Sequence, residues 1–219
     1  MRKSPRHKSS RRKSPSSSRP SASTSVSMGQ VRIIGGTLKR SLLQVLSSPG
    51  LRPTPDRVRE TLFNWLASDL HNARVLDPFA GSGALGFEAV SRGATHVQSI
   101  ELNTKAIQLL RENSERLKVT QHMRFTQADA LTALEHTPDR PYDIVFLDPP
   151  FHQSLASKAA QLLEEHQWLT DDALIYVESE SEHPASVPET WRLLRETKAG
   201  ESLGRLYLRE PRAGDMYTV

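Results

Sequence analysis

The sequence predicts an α/β fold: a mostly parallel, doubly wound sheet with helices on both faces, preceded by an N-terminal β-hairpin. Three observations lead to this fold class. Short β-branched runs alternate with helical segments from residue 74 onward, a glycine-rich turn follows the first of these runs, and 219 residues suffice for one such domain. Strands separated by helices of this length pair in parallel.

Composition excludes several classes of protein. The chain has no cysteine, which excludes disulfides, thiolate metal sites and a cysteine nucleophile. No apolar run approaches the ~18 residues of a membrane span, and no apolar stretch follows the basic start as it would in a signal peptide. The histidines show no paired metal-ligand spacing. We therefore expect a cytoplasmic protein without a metal. We also expect a monomer.

Residues 1–28 form a basic tail rich in Ser and Pro. We expect this tail to be disordered because it cannot bury enough apolar surface to offset the entropy of ordering. Residues 1–27 hold eight of the 29 Lys and Arg and no acid, so the remaining 192 residues carry a net charge of −4. Any nucleic-acid contact of the folded body must then come from local basic patches. The tail could be an RNA-binding arm, a transit peptide or a dispensable extension before Met28.

Residues 29–50 are expected to form the hairpin. The β-branched run Val31–Ile34 and the mixed run Leu38–Leu46 flank Gly35-Gly36. Two such runs around paired glycines predict antiparallel strands.

Helices and strands fill the domain predicted at residues 51–210. Thr54 can cap an opening helix and Pro55 fits its first position, and the apolar residues at helical spacing after them are Val58, Leu62, Trp65 and Leu66. The predicted strands are 74–77, 97–101, 123–127, 143–147, 174–178, 191–196 and 204–208, with helices at about 84–92, 104–117, 130–136 and 154–166. No helix separates the last two strands, which predicts an antiparallel hairpin at one sheet edge. Residues 211–219 would form a C-terminal tail.

The turn after the strand at 74–77 carries the pattern GxGxxG at Gly81, Gly83 and Gly86. Backbone without a β-carbon can approach a ligand closely. Glu101, at the end of the next strand, could accept hydrogen bonds from ribose hydroxyls. The pattern alone is a weak signal, because the same spacing serves nicotinamide dinucleotides and also occurs in tight turns without a ligand.

Two further acids favour S-adenosylmethionine over a dinucleotide. Asp77 lies just before the glycine turn, where a carboxylate would repel a pyrophosphate and attract an ammonium group. Asp129, which Ala130 follows, comes after the strand at 123–127 and could accept a hydrogen bond from an adenine amino group. Open α/β sheets bind ligands at the carboxyl ends of their strands, where these acids are expected. S-adenosylmethionine is therefore the predicted cofactor.

The most informative motif is Asp148-Pro149-Pro150-Phe151, after the buried-strand pattern at 143–147. An exocyclic amino nitrogen is a poor nucleophile because its lone pair is delocalised into the ring, and two acceptors on its N–H bonds would favour a pyramidal nitrogen. The Asp148 side chain and the Pro149 carbonyl could be these acceptors, the prolines supply no competing N–H, and Phe151 offers a ring for base stacking. A lone Asp-Pro-Pro is an ordinary turn. Beside a glycine turn and three acids, it predicts methylation of an amino group.

Together these residues resemble the class I amino-methyltransferases, and the stretches 32–36, 51–66 and 77–94 are similar to the bacterial 16S rRNA guanine-N2 methyltransferases. The resemblance runs from about residue 29 to 210. It implies a seven-stranded Rossmann-like sheet of order 3-2-1-4-5-7-6, with S-adenosylmethionine as methyl donor. It also implies a base site at 148–151 and a cofactor site at Asp77, Phe79, Gly81, Gly83, Glu101, Leu102, Asp129 and Ala130.

The basic part of the folded body is its front end. Six cations there are predicted to contact RNA phosphates, which position an RNA without reading its sequence: Arg32, Lys39, Arg40, Arg52, Arg57 and Arg59. A solvated charged face is the alternative for any single one of them. Arg52 and Arg57 flank the predicted helix start, next to where the base would enter, and are the strongest candidates.

The sequence thus predicts methylation of the N2 amino group of a guanine in 16S rRNA, within the small ribosomal subunit or its assembly intermediate. Other functions stay open. The acceptor could be adenine N6 of DNA or a glutamine amide of a protein. The chain could also be a nucleotide-binding dehydrogenase or a non-catalytic RNA-binding module.

Overall fold

The computed structural model describes residues 1, 27–47, 56–151 and 154–210. The tail before residue 27, the cap at Thr54-Pro55, Arg52 and the C-terminal tail at 211–219 lie outside the described residues. The predicted domain boundaries stay predictions. Within the described ranges, no helix is long and apolar enough to cross a membrane.

Nine strands and five α-helices make up the described part of the chain. The strands are β1 (Ser27–Arg32), β2 (Leu42–Ser47), β3 (Arg74–Asp77), β4 (His96–Glu101), β5 (Met123–Gln127), β6 (Tyr142–Leu147), β7 (Leu169–Glu180), β8 (Trp191–Ala199) and β9 (Ser202–Arg209). The helices are α1 (Asp56–Trp65), α2 (Ala84–Ser91), α3 (Thr104–Arg116), α4 (Ala130–Leu134) and α5 (Leu155–Glu165).

Strands β3 to β9 form one sheet in the order β5-β4-β3-β6-β7-β9-β8. Strands β3 to β7 pair in parallel, whereas β9 is antiparallel to both β7 and β8. Counted along the chain from β3, this order is 3-2-1-4-5-7-6. The predicted fold class and the antiparallel final pair are therefore confirmed.

The largest difference from the predicted elements is β7, which starts at Leu169 rather than at 174. Asp171 and Asp172 are exposed and interrupt the apolar pattern, and the pairing with β6 shifts register between Tyr142 and Ile144. A strand can continue through such an irregularity, but its hydrophobic pattern cannot show it.

The hydrophobic core lies on both faces of the seven-stranded sheet. Side chains alternate between the faces, so that Val75, Phe146 and Tyr176 pack in one cluster with the hairpin and helices α1, α2 and α3. We call this side the first face. Leu76, Val145 and Val177 pack on the second face with α4 and α5.

The predicted hairpin is confirmed as an antiparallel pair, with Ser27 opposite Ser47 and Arg32 opposite Leu42. Its connection, residues 33–41, packs on α2.

Glu88 holds this connection to the domain. Its side chain is fully buried, and it accepts hydrogen bonds from the backbone N–H of Ile34 at 2.7 Å and of Gly35 at 2.8 Å. The same carboxylate pairs with Arg92 at 2.7 Å. A β-carbon on Gly36, which has a φ of 72°, would lie 1.9 Å from the carbonyl oxygen of Ser91, so only glycine allows this approach. The hairpin is thus held against the sheet domain by hydrogen bonds and close packing, in addition to its connection along the chain.

Candidate active site at the carboxyl ends of the central strands

The acids predicted to form a site lie together at the carboxyl ends of the parallel strands. Asp77 ends β3, Glu101 ends β4, and Asp148 directly follows β6. Electrostatic interactions link Asp77 to both Asp148 and Glu101. The glycine turn after β3 and the Asp-Pro-Pro-Phe motif therefore share one edge of the sheet.

The glycines of the turn have different physical roles. Gly81 has a φ of 50°, and a β-carbon there would contact only the carbonyl oxygen of Phe79, at 3.9 Å. Gly83 has a φ of 75°, and its β-carbon would lie 2.3 Å from the side chain of Leu110. A β-carbon on Gly86 would lie 3.2 Å from Val97 on β4. The positive φ favours glycine at both 81 and 83, and packing adds to that preference at 83 and favours glycine at 86; only Gly81 leaves open space where a ligand could approach the backbone.

Glu101 braces the turn. One carboxylate oxygen accepts the Gly81 N–H at 2.8 Å and the other accepts the Asn103 N–H at 2.7 Å. Each oxygen of a carboxylate can accept a second hydrogen bond. Glu101 can therefore hold the loop and receive hydroxyl groups of a ligand at the same time.

The remaining predicted cofactor residues surround this turn. Leu102 is 64% exposed, one of the few large apolar side chains in the described ranges that face solvent. Asp129 is exposed and caps α4 by accepting the Thr132 N–H at 3.0 Å, and Ala130 is buried behind it. Phe79 is partly buried against the core of the second face. An exposed apolar side chain beside acceptor groups suits a planar ring that carries hydrogen-bond donors.

Asp77 is a buried acid with a strongly raised pKa. It is 2% exposed. Burial, then the charges of Asp148 and Glu101, raise the pKa of Asp77 from 3.8 to about 8, while a hydrogen bond from the backbone of Gly86 lowers it. A positively charged ligand group near Asp77 would offset the repulsion and favour the ionised form.

The substitution Asp77→Asn should flatten the pH dependence of stability in the ligand-free protein. The folded pKa lies above the unfolded value, so the stability contributed by the proton is complete below 3.8 and is lost as the pH rises through about 8. Between these limits the loss approaches about 1.4 kcal/mol per pH unit. Urea unfolding of both proteins from about pH 5 to about pH 8 measures it. The exposed Asp69→Asn is the control, and a gap between wild type and Asp77→Asn that stays constant with pH would contradict this role.

The last three residues of the Asp-Pro-Pro-Phe motif border a cavity of about 390 Å³. Asp148 is partly exposed, Pro149 is buried, Pro150 is exposed and Phe151 is partly exposed. Asp148 follows the end of β6, and its charge acts on both Asp77 and Tyr176. The motif thus combines a carboxylate next to the glycine turn with an accessible aromatic ring.

Glu178 and Tyr176 also lie at this edge of the sheet, and neither was predicted from the sequence as a site residue. Glu178, 5% exposed, accepts hydrogen bonds from the hydroxyl groups of Tyr176 at 3.0 Å and Ser202 at 2.6 Å. Burial and the charges of Glu178 and Asp148 raise the pKa of Tyr176 well above its usual value. An acid after an apolar strand was the signal used for Asp77, Glu101 and Asp148, and it applies equally to Glu178, which follows Val177.

The predicted basic residues divide into two groups. Arg32, Lys39, Arg40 and Arg57 are exposed. Arg59 is 1% exposed, and its guanidinium donates to the Arg32 carbonyl at 3.0 Å and to Asp56 at 2.7 Å. A guanidinium buried in this way cannot reach a phosphate, so we correct the prediction for Arg59 and assign it to the packing of α1 against the hairpin.

A metal centre has no counterpart in the described ranges. No group of three or more His, Asp or Glu side chains is arranged there to hold a metal ion.

The chain is similar to several known proteins. A family model described as Conserved hypothetical protein 95 matches residues 31–208. Ribosomal RNA small subunit methyltransferase D from Haemophilus influenzae is 48% identical over 181 residues, which cover 82% of this chain and 94% of the relative. The protein of the same name from Escherichia coli strain K12 is 50% identical over 183 residues, covering 83% and 91%. The solved structure of the putative methyltransferase yhhF from Escherichia coli superimposes with a TM-score of 0.74 at 46% identity, covering 83% of this chain and 99% of that one.

Proposed function

The chain belongs to the Conserved hypothetical protein 95 family, together with the small-subunit rRNA methyltransferases D, and we propose that it transfers a methyl group from S-adenosylmethionine to N2 of a guanine in 16S rRNA. The names of the relatives support methylation of rRNA of the small subunit. One observation carries the rest of the proposal. The Asp-Pro-Pro-Phe motif, with acceptors for an amino group and a ring for a base, lies beside a glycine turn at the same sheet edge.

The residues at this edge fit S-adenosylmethionine, which supplies an electrophilic methyl group when bound. Gly81 leaves space above the turn. Glu101 retains acceptor capacity for two ribose hydroxyls, and exposed Leu102 offers an apolar surface to the adenine ring. Asp77 is the buried acid that a cationic amino group would ionise.

Asp148 and Pro149 would act on the amino group of the base. Acceptors on its two N–H bonds favour a nitrogen whose lone pair faces the methyl donor, and they stabilise the positive charge that develops as the new bond forms. Phe151 would hold the base plane by stacking. No dedicated strong base is required, because the methylated amine becomes acidic and can release its proton to Asp148 or to water.

The exposed front-end cations would position the RNA. The logarithm of the affinity for RNA falls linearly with the logarithm of the salt concentration, because each phosphate contact releases counterions on binding. The double substitution Arg32→Ala/Arg57→Ala removes two contacts and should reduce the steepness of this slope by about 1–2. The matched control is Lys118→Ala/Arg140→Ala, two exposed cations that precede β5 and β6 and are not among the cations predicted to contact RNA. Equal salt slopes for the two double variants would refute the proposed RNA surface.

An assay with a labelled methyl donor tests the proposed function. Purified small subunits from cells that lack this protein, duplex DNA and a glutamine-containing peptide are offered in parallel. We expect label only in the small subunits, and N2-methylguanosine after digestion to nucleosides. Label as N6-methyladenine in DNA, or in the peptide, would support the alternative acceptors and contradict the proposal.

A further inference from the structure

A second carboxylate lies beside Asp148 at the same edge of the sheet. Leu147 of β6 and Val177 of β7 are paired across parallel strands. Asp148 and Glu178 are the next residues of the two segments, and neighbouring strands lie roughly 5 Å apart. Glu178 lies on the first face, because it accepts a hydrogen bond from Tyr176 of the first-face core, and Asp148 follows β6 directly. The hydroxyl of Tyr176 interacts with the charges of both acids.

Glu178 is held in a fixed position. Its two oxygens each accept one hydroxyl, from Tyr176 and from Ser202. A β-carbon on Gly204 would lie 2.4 Å from the Tyr176 hydroxyl oxygen, so glycine at 204 leaves room for that ring. Each carboxylate oxygen can accept one more hydrogen bond. The carboxylate is thus anchored by its neighbours without exhausting its capacity as an acceptor.

The residues that follow Asp148 and the side of β7 that holds Glu178 border the same cavity. Its volume is about 390 Å³, and its lining includes Pro149, Pro150, Phe151 and Glu178. Cavities of this size suit a small ring system. A base that stacks on Phe151 would therefore lie within the space that Glu178 borders.

We propose that Glu178 selects guanine by accepting a hydrogen bond from its N1–H while Asp148 accepts one from the adjacent N2 amino group. This inference rests on the proposed function and names the residue that chooses the base. In guanine a ring N–H stands next to the amino group, whereas adenine and cytosine present a lone pair at that ring position. Two neighbouring carboxylates match two adjacent donors and repel a ring lone pair.

The test compares guanosine with 2-aminopurine riboside at the methyl-acceptor position of reconstituted small subunits. Both bases carry the 2-amino group, but only guanine carries the N1–H. The wild type should prefer guanosine by at least about 100-fold in kcat/KM, because a site built around a donor rejects a base that lacks it. In Glu178→Gln the preference should fall below about 10-fold, because the amide can turn its N–H toward the purine lone pair.

Glu178→Gln has nearly the same shape. Its amide oxygen can accept from one of the two hydroxyl groups, and its NH2 can donate to the oxygen of the other, so the fold should persist. Glu182→Gln, an exposed acid outside the cavity, is the matched control and should keep the wild-type preference. A folded Glu178→Gln protein with the wild-type preference would overturn the proposal. So would equal rates on the two bases in the wild type, a comparison that needs no variant. Absence of guanosine methylation by the wild type would instead contradict the proposed function itself.

Discussion

Replacing Asp148 by Ala should lower methyl transfer by at least about 100-fold while cofactor affinity is retained. The variant loses the charged acceptor for the amino group. The groups proposed to hold the cofactor, above all Glu101 and the glycine turn, remain bonded to each other. Single-turnover rates on unmethylated small subunits and calorimetric binding of S-adenosylmethionine separate the two effects.

Asp148→Asn is the control for this prediction. Its amide oxygen can still accept from the amino group, so it should keep more activity than Asp148→Ala. Removal of the Asp148 charge should also lower the pKa of Asp77, since that charge contributes to raising it. NMR titration of the Asp77 carboxyl carbon measures the change. Wild-type turnover in Asp148→Ala would exclude Asp148 from the reaction, and loss of cofactor binding would place it in a different role.

The substitution Glu88→Ala should lower the free energy of unfolding by about 3–5 kcal/mol. It would leave Arg92 without its carboxylate partner and the N–H groups of Ile34 and Gly35 without acceptors. The Glu88 side chain is fully buried. Urea denaturation gives the magnitude. Hydrogen exchange at Ile34 and Gly35 gives the location, because both amides should exchange faster once the hairpin is released.

Glu112→Ala is the matched control for Glu88. Glu112 lies on α3, is exposed and bonds only to Gln108 within the described residues. Its removal should change stability by less than about 0.5 kcal/mol. A similarly small effect of Glu88→Ala would show that the hairpin does not depend on this carboxylate.

Most of the architecture follows from local sequence signals. The period of apolar residues and the turn chemistry predict β5 at Met123–Gln127, which is where the structure has it. For most of the other sheet elements, the predicted and observed bounds differ by a few residues at most. The glycine turn and the acids at strand ends predict a site because parallel strands bring their carboxyl ends to one edge. These signals are local, so they survive without knowledge of tertiary contacts.

The missed features depend on contacts between distant segments. Arg59 looks like a surface cation in sequence, but its guanidinium is buried against the carbonyl of Arg32, far away in the chain. Glu88 looks like a helical surface acid, yet the hairpin covers it. The position of Glu178 beside Asp148 depends on the register of β6 against β7, and its anchoring depends on Ser202 of β9. No periodicity within one segment encodes such pairings.

The most direct test of the account is where the cofactor binds. A crystal structure with S-adenosylhomocysteine should show the ribose hydroxyls on Glu101, the adenine against Leu102, and the homocysteine over Gly81 with its sulfur facing Asp148. Clear density for the ligand anywhere other than over the turn between β3 and α2, or no measurable binding by the pure protein, would contradict it.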